Sequence, residues 1–264
     1  MKQTGMIPQV TSKLVALAAA WGLASAARGG VYTSFSGTPS QAIPDNNPAG
    51  VAYGFNFGNP GLTAIESVIV TFTISGGRNG DLYACLSRGT DTLVLLNRVG
   101  VANGTSGSTL YSYGYSGAGF NSITLSDSGS ELGNIHNYGG STLNTTPTMG
   151  GTYKADGQSV NPLNAPTGFD AGGGTITFYE KFGGDNPNDE AWTLFFADLS
   201  GGSVATLDSW SVGITAVPEP VNVALGILGG IGAAVSGVRL WRARRQSPLR
   251  PATTARAGYR QQLQ

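Results

Sequence analysis

SVIVTFTI, residues 67–74, decides the fold, because Val68, Val70, Phe72 and Ile74 fall on every second position. A period of two puts these four large apolar side chains on one face of an extended strand, which helical geometry cannot do. The same alternation recurs downstream. Trp192, Leu194 and Phe196 share a face of residues 191–197, Trp210, Val212 and Ile214 a face of 209–214, and Ile176 and Phe178 a face of 175–179. Residues 82–86 and 92–96 are more continuously apolar, the pattern of central strands with both faces covered. Between the first two of these runs, Gly76-Gly77-Arg78-Asn79-Gly80 carries the Asn-Gly pair that suits a hairpin's positive φ angles. No stretch between residues 31 and 216 sustains a 3.6-residue period, so the expectation is an all-β sandwich of two packed antiparallel sheets.

Composition agrees. Of 264 residues, 41 are Gly and 13 Pro, about a fifth of the chain against the ~12% of average usage, which leaves little room for long helices. With 40% hydrophobic and 11% charged residues the chain is too apolar for disorder. The single cysteine, Cys85, cannot form an internal disulfide, and the single histidine, His136, leaves a zinc site short of ligands. A Ser-His-Asp or Cys-His site would have to use His136.

The formal net charge of zero adds unlike regions. Residues 31–217 carry 14 acids against five bases (Arg78, Arg88, Arg98, Lys154, Lys181), a net of −9. The ends carry the balance: Lys2, Lys13 and Arg28 before the body, and seven arginines after residue 238. A body this acidic repels phosphate backbones, which argues against nucleic acid as a partner.

Both ends read as addressing. Basic Lys2 and Lys13, the apolar run 14–24 and the small residues Ala24-Ser25-Ala26 form the three zones of a secretory signal peptide spanning residues 1–26, with cleavage after Ala26 or Ala27. Near the other end, VNVALGILGGIGAAVSGV, residues 221–238, has no charge. As a helix it would be ~27 Å long, near the thickness of a bilayer's hydrocarbon core, so a single transmembrane helix is expected there. Arg239, Arg242, Arg244 and Arg245 follow at once, which sets the body outside and the tail inside. Gly226 and Gly230 have the GxxxG spacing that lets helices pack closely. Just before the span, Val217-Pro218-Glu219-Pro220 reads as a stiff, extended stop.

VPEP, a Gly/Ala-rich span and the RLWRARR cluster, in that order over residues 217–245, resemble the PEP-CTERM sorting signal. The resemblance implies a Gram-negative bacterium that makes exopolysaccharide. It also implies recognition by an exosortase, a membrane-embedded cysteine transpeptidase-like enzyme thought to remove the tail. The extra segment 246–264, expected as a disordered cytoplasmic tail, departs from the usual pattern, which ends soon after the arginines.

A second resemblance lies in the body. Ile43-Pro44-Asp45-Asn46, Gly80-Asp81-Leu82, Trp192-Thr193-Leu194, Ala197-Asp198 and Leu207-Asp208-Ser209-Trp210 are similar in type and order to the P domain of proprotein convertases. That likeness, over about residues 40–215, implies a jelly-roll sandwich with a galactose-binding-like fold. P domains normally follow a subtilisin-like protease domain, for which this chain has no room, so assistance to an attached protease is not carried over.

For chemistry the sequence offers little. Asp81 and Asp198 match family positions whose aspartates fix turns by accepting backbone hydrogen bonds; calcium, which some members of the wider fold bind through such oxygens, is the rival role. The run Asp185, Asn186, Asn188, Asp189, Glu190 fails the D-x-[DN]-x-[DN]-G calcium pattern, with Pro187 at its third position and Glu190 at its sixth. His136 is expected in a polar turn, at the surface or in loop packing, and Cys85 as a small core residue. Residues 100–119 and 139–174, rich in Gly and polar residues, are expected as long surface loops. Tyr111, Tyr113 and Tyr115 there either stack on sugars or cover the sheet. No pair of carboxylates is singled out for glycoside hydrolysis. The expectation is a non-enzymatic exported protein of the cell surface or exopolysaccharide matrix, with a glycan- or protein-binding module as the alternative.

Overall fold

The computed structural model describes residues 29–102, 113–139, 149–164 and 166–245. The protein is mostly β, and its strands form two sheets. The first contains β1 (Val31–Gly37), β10 (Ala205–Pro218), β4 (Leu62–Gly76), β7 (Gly119–Leu125) and β8 (Met149–Tyr153) in that order, with β2 (Gln41–Ile43) also paired to β10. The second has the order β3 (Asn47–Phe55), β9 (Trp192–Asp198), β5 (Leu82–Arg88), β6 (Asp91–Asn97). The all-β reading holds, and residues 67–74 lie inside β4, paired to β10 on one side and β7 on the other. All four of their alternating apolar side chains are buried, as are Trp192, Leu194, Phe196, Trp210, Val212 and Ile214. At the centre Phe72 meets Phe120 and Phe196 edge-on at 5.8 and 5.6 Å between ring centroids.

Four local expectations are corrected. Residues 175–179 are not a strand: Thr177 caps α1 (Phe178–Phe182), accepting a hydrogen bond from the Glu180 amide while Glu180 accepts one from the Thr177 amide. This reciprocal cap fixes a helix start, and the four-residue spacing buries Phe178 and Phe182 together. Secondly, residues 76–80 do not turn a hairpin, because β4 and β5 belong to different sheets. The Asn79 side chain explains the departure. It is buried and pairs with the backbone of Gly119 in both directions, at 3.0 and 2.8 Å, and donates to the Tyr138 hydroxyl at 2.8 Å.

Thirdly, β6 is an edge rather than a central strand, but its edge is covered. The amides of Asp156 and Gly157 donate to the carbonyls of Leu95 and Val94, which closes a row of backbone groups that would otherwise invite pairing with another chain. Lastly, the region 139–174 is more than a surface loop, since it supplies β8, parallel to β7, and the buried Tyr153, Ala155, Asp156 and Phe169. The sheets are therefore not wholly antiparallel.

The chain divides into two compact units, Met1–Glu219 and Pro220–Gln264. The second contains α2 (Pro220–Arg245), which covers the whole stretch expected to span a membrane. Among the described residues no helix is long and apolar enough to cross a membrane. The side chains of residues 220–225, 227, 240 and 242–245 lie outside that description. The signal peptide with Ala26 and Ala27, and the tail 246–264, lie outside the described residues altogether.

Candidate functional site

Of the residues singled out for sorting, Val217 and Pro218 are the last of β10, opposite Ala64 and Leu62 at the start of β4. The Val217 carbonyl accepts from the Thr63 hydroxyl at 3.1 Å, and the Glu219 amide donates to the Gly61 carbonyl at 2.8 Å. The body's hydrogen bonding thus runs through Glu219, past the expected end at residue 216. Pro218 costs the sheet no donor it needs, because it is the terminal strand residue. Pro220 opens α2, where a missing amide hydrogen leaves no bond unmade. Arg239, exposed, and Arg242, Arg244 and Arg245 all belong to the last two turns of α2.

Inside the body, His136 corrects the surface reading, since it is fully buried. Its Nδ1 lies 2.7 Å from Asp156 Oδ2 and its Nε2 2.7 Å from the Val101 carbonyl. Both partners are acceptors, so the ring needs a proton on each nitrogen. Burial opposes that charge, but the hydrogen bond and charge of Asp156, the Val101 carbonyl and the charge of Asp170 outweigh it and lift the His136 pKa above its usual value. Both nitrogens are committed to the fold. Asp156 Oδ2 also accepts from the Asn97 amide at 3.0 Å, so one buried pair ties β6 to the turn at residues 135–137 and the loop beyond β8.

Asp198 is fully buried at the end of β9, where Oδ1 takes the Ser200 amide at 3.4 Å and Oδ2 has no hydrogen-bond partner among the described residues. Burial, with the nearby charges of Asp81 and Asp45, pushes its pKa up to about 6 against the Ser200 hydrogen bond. Asp81 is also raised by burial, which outweighs Arg78, Arg98 and Ser200. The Asp45 carboxylate accepts from the Gly202 amide at 3.1 Å. Asp198 and Asp45 therefore hold neighbouring parts of one turn. Among the described residues no group of three or more His, Cys, Asp or Glu side chains could hold a metal ion. In the run 185–190, Arg88 binds Asp185 at 2.8 Å and the Asn186 carbonyl at 2.7 Å, and Asn188 bonds the Asn59 backbone twice.

Tyr115 is buried and packs on Tyr138 at 4.6 Å, Tyr113 is exposed with Arg78 over its ring, and Tyr111 lies outside the described residues. Cys85 sits on the half-buried outer side of β5, between the buried Ala84 and Leu86, rather than in the core. Burial raises its thiol pKa, which keeps it protonated and unreactive.

A concavity that no local sequence pattern locates opens between β1 and β3, each an edge strand. It has a volume of about 450 Å³ and is lined by Phe35, Ser36 and Gly37 of β1, Thr38 and Pro39 beyond it, Ala52, Tyr53 and Gly54 of β3, and Trp210 of β10. Phe35 stacks on Phe55 at 5.2 Å and lies 6.0 Å from Trp210, while Tyr53 meets Trp210 at 5.4 Å. Phe35 is nonetheless 41% exposed. The signal was present in VAYGF, where aromatic residues alternate with small ones, and in Phe35 followed by the small Ser36 and Gly37. What hid the cleft was that two distant strands had to be recognised as facing edges.

No family model matches the sequence, and no curated protein matches it. Among solved structures, the chain is similar to the serine protease of Aeromonas sobria, with 15% identity and a TM-score of 0.34 over 70% of this chain and 26% of that one. The same protease in complex with its chaperone gives 14% identity and 0.34 over 75% and 29%. The chain thus spans under a third of the length of these proteins.

Proposed function

We propose that this is an exported, non-enzymatic β-sandwich protein, delivered to the cell surface or exopolysaccharide matrix of a Gram-negative bacterium by a PEP-CTERM signal over residues 217–245. The observation that carries this reading is the order at the C-terminus: the last strand closes on Val217 and Pro218, Glu219 makes the body's final backbone bond, and a helix ending in arginines starts at Pro220. On this reading an exosortase recognises Pro218, Glu219 and Pro220, residues 221–238 hold the chain in the membrane, and Arg239, Arg242, Arg244 and Arg245 keep the tail inside. A cut at this junction frees a body whose strands are all complete. Export begins with a signal peptide removed after Ala26 or Ala27, and the sandwich is a P-domain-like jelly roll of the galactose-binding type. The commitment of both His136 nitrogens to buried acceptors, Asp156 and the Val101 carbonyl, supports a non-enzymatic role.

The test is C-terminal peptide mapping by mass spectrometry of the protein recovered from envelope and culture medium. Mature chains ending within residues 217–221 and lacking every arginine from 239 onward are expected, with loss of surface delivery when Pro218→Ala and Glu219→Ala are combined. Chains running intact to Gln264 in the inner membrane would sink the proposal.

A further inference from the structure

The aromatic cleft between β1 and β3 has the features of a binding site rather than of a gap in the core. None of its lining residues is charged. It presents flat apolar surface, from the exposed part of Phe35 and from Tyr53, beside hydroxyls of Ser36, Thr38 and Tyr53. The Tyr53 hydroxyl donates to Gln41 Oε1 at 2.8 Å at an exposed position. Gln41 thereby brings an amide group to the cleft's rim. Because among the described residues β1 pairs only with β10 and β3 only with β9, the outer backbone donors and acceptors of both strands border the opening. A second feature points inward. Trp210 is 5% exposed, and among the described residues its indole Nε1 has no hydrogen-bond partner. That nitrogen lies on the Gly37 side of the ring, where any side chain at position 37 would come within 2.9 Å of it. A buried donor without an acceptor is uncommon and asks for an explanation.

We infer that this cleft binds a neutral sugar, a hexopyranose unit of an uncharged polysaccharide. A pyranose ring offers an apolar C–H face and a rim of hydroxyls, and so matches a site that pairs aromatic faces with neutral hydrogen-bonding groups. Its volume lies within the ~300–1,000 Å³ of small-molecule sites. Charge narrows the class: a body with 14 acids against five bases disfavours uronic, sulfated or phosphorylated ligands, and the cleft supplies no cation to offset that. Phe35 serves as the stacking platform, and the Tyr53 hydroxyl and Gln41 amide take ring hydroxyls. This inference is independent of the sorting reading, because it rests on the body alone.

The experiment is titration of the full-length protein, by calorimetry and tryptophan fluorescence, with neutral gluco-, galacto- and manno-oligosaccharides, a polyuronate and an extended uncharged peptide. Saturable binding of at least one neutral oligosaccharide is expected. Phe35→Ala should weaken it about tenfold and Tyr53→Phe about threefold, in line with ~0.5–1.5 kcal/mol for an aromatic contact or one hydrogen bond. Tyr179→Ala, an exposed aromatic on α1 away from the cleft, should leave it unchanged. Tyr53→Phe keeps the ring, so it tests the cleft even if Phe35→Ala fails to fold. Any of three results would overturn the inference: no neutral oligosaccharide binding at millimolar concentration, equal binding by Tyr53→Phe and the parent, or a preference for the polyuronate or the peptide.

Discussion

The two sheets end differently at their two sides. At the β6 edge the strand is covered by residues 156–157, and the cover is fastened by the buried pair of His136 and Asp156. At the β1 and β3 edges nothing of the kind lies over the opening among the described residues, and aromatic rings occupy it instead. Both sides are rich in polar and aromatic chemistry, but on one both ring nitrogens of the histidine are turned to partners in the fold, while the other leaves Phe35 41% exposed and the Trp210 indole N–H without a partner among the described residues. The lesson is that a buried histidine–aspartate pair, which looks like catalysis when its residue types are tallied, is here a fastening. The side that appears plain in composition is the one with capacity for a ligand.

The sharpest way to break this contrast is to remove one member of the pair. His136→Ala leaves Asp156 as an uncompensated buried charge and should cost about 3–5 kcal/mol, measured as the midpoint shift in urea unfolding. A loss below about 1 kcal/mol would mean that the closed side is not fastened as described. Next comes Asn79→Ala, which strands the Gly119 amide and carbonyl and the Tyr138 hydroxyl on the same side. About 2–3 kcal/mol is expected, or roughly 4–12 °C in the thermal midpoint of a domain this size.

Stability also depends on pH through two buried groups. A histidine with a raised folded-state pKa gives stability that is complete below its unfolded value near ~6.5 and lost as pH rises through the folded value. Asp198, pushed up to about 6, binds its proton more tightly when folded, so its ionisation destabilises the fold above that pH. Both effects have the same sign: stability should increase as pH falls from 8 towards 5. Asp198→Asn, which keeps an acceptor for the Ser200 amide, should raise the melting temperature at pH 7 and flatten the slope between pH 5 and 7. His136→Ala should remove the part of the slope above pH 6.5. The smallest effect is expected on the open side, where Phe35→Ala should cost only about 1 kcal/mol because the ring is already 41% exposed. A large loss of stability there, with no change in sugar binding, would turn the cleft back into ordinary core.

How much of this was legible in sequence follows from what each signal depends on. Period-two alternation is local, and the strands it marked at residues 67–74, 191–197 and 209–214 are present with their buried faces as expected. It misled at Ile176 and Phe178, where two apolar residues two apart also fit a helix entry and the Thr177–Glu180 cap decided the outcome. Asn79-Gly80 reads as a turn pair, but the Asn79 amide is engaged by a residue 40 positions away. His136 gave no local sign of burial, because Asp156 and Val101 reach it only through the fold. The same holds for the cleft, since Phe35 and Trp210 lie on neighbouring strands but are far apart in the chain. Local chemistry was readable; chemistry assembled across sheets was not.

The path of β10 has a mechanical consequence. Trp210, at the cleft, and Pro218, where the body's strand ends, belong to the same strand, and β10 is hydrogen-bonded to β4 along its length from Ala205 to Pro218 and to β1 on its other side. A pull between something held on Phe35 of β1 and the chain's exit therefore passes from β1 into β10 across their antiparallel pairing, loading those backbone bonds together in shear instead of opening them one at a time. The histidine–aspartate fastening, which belongs to neither strand, stays outside that line of force.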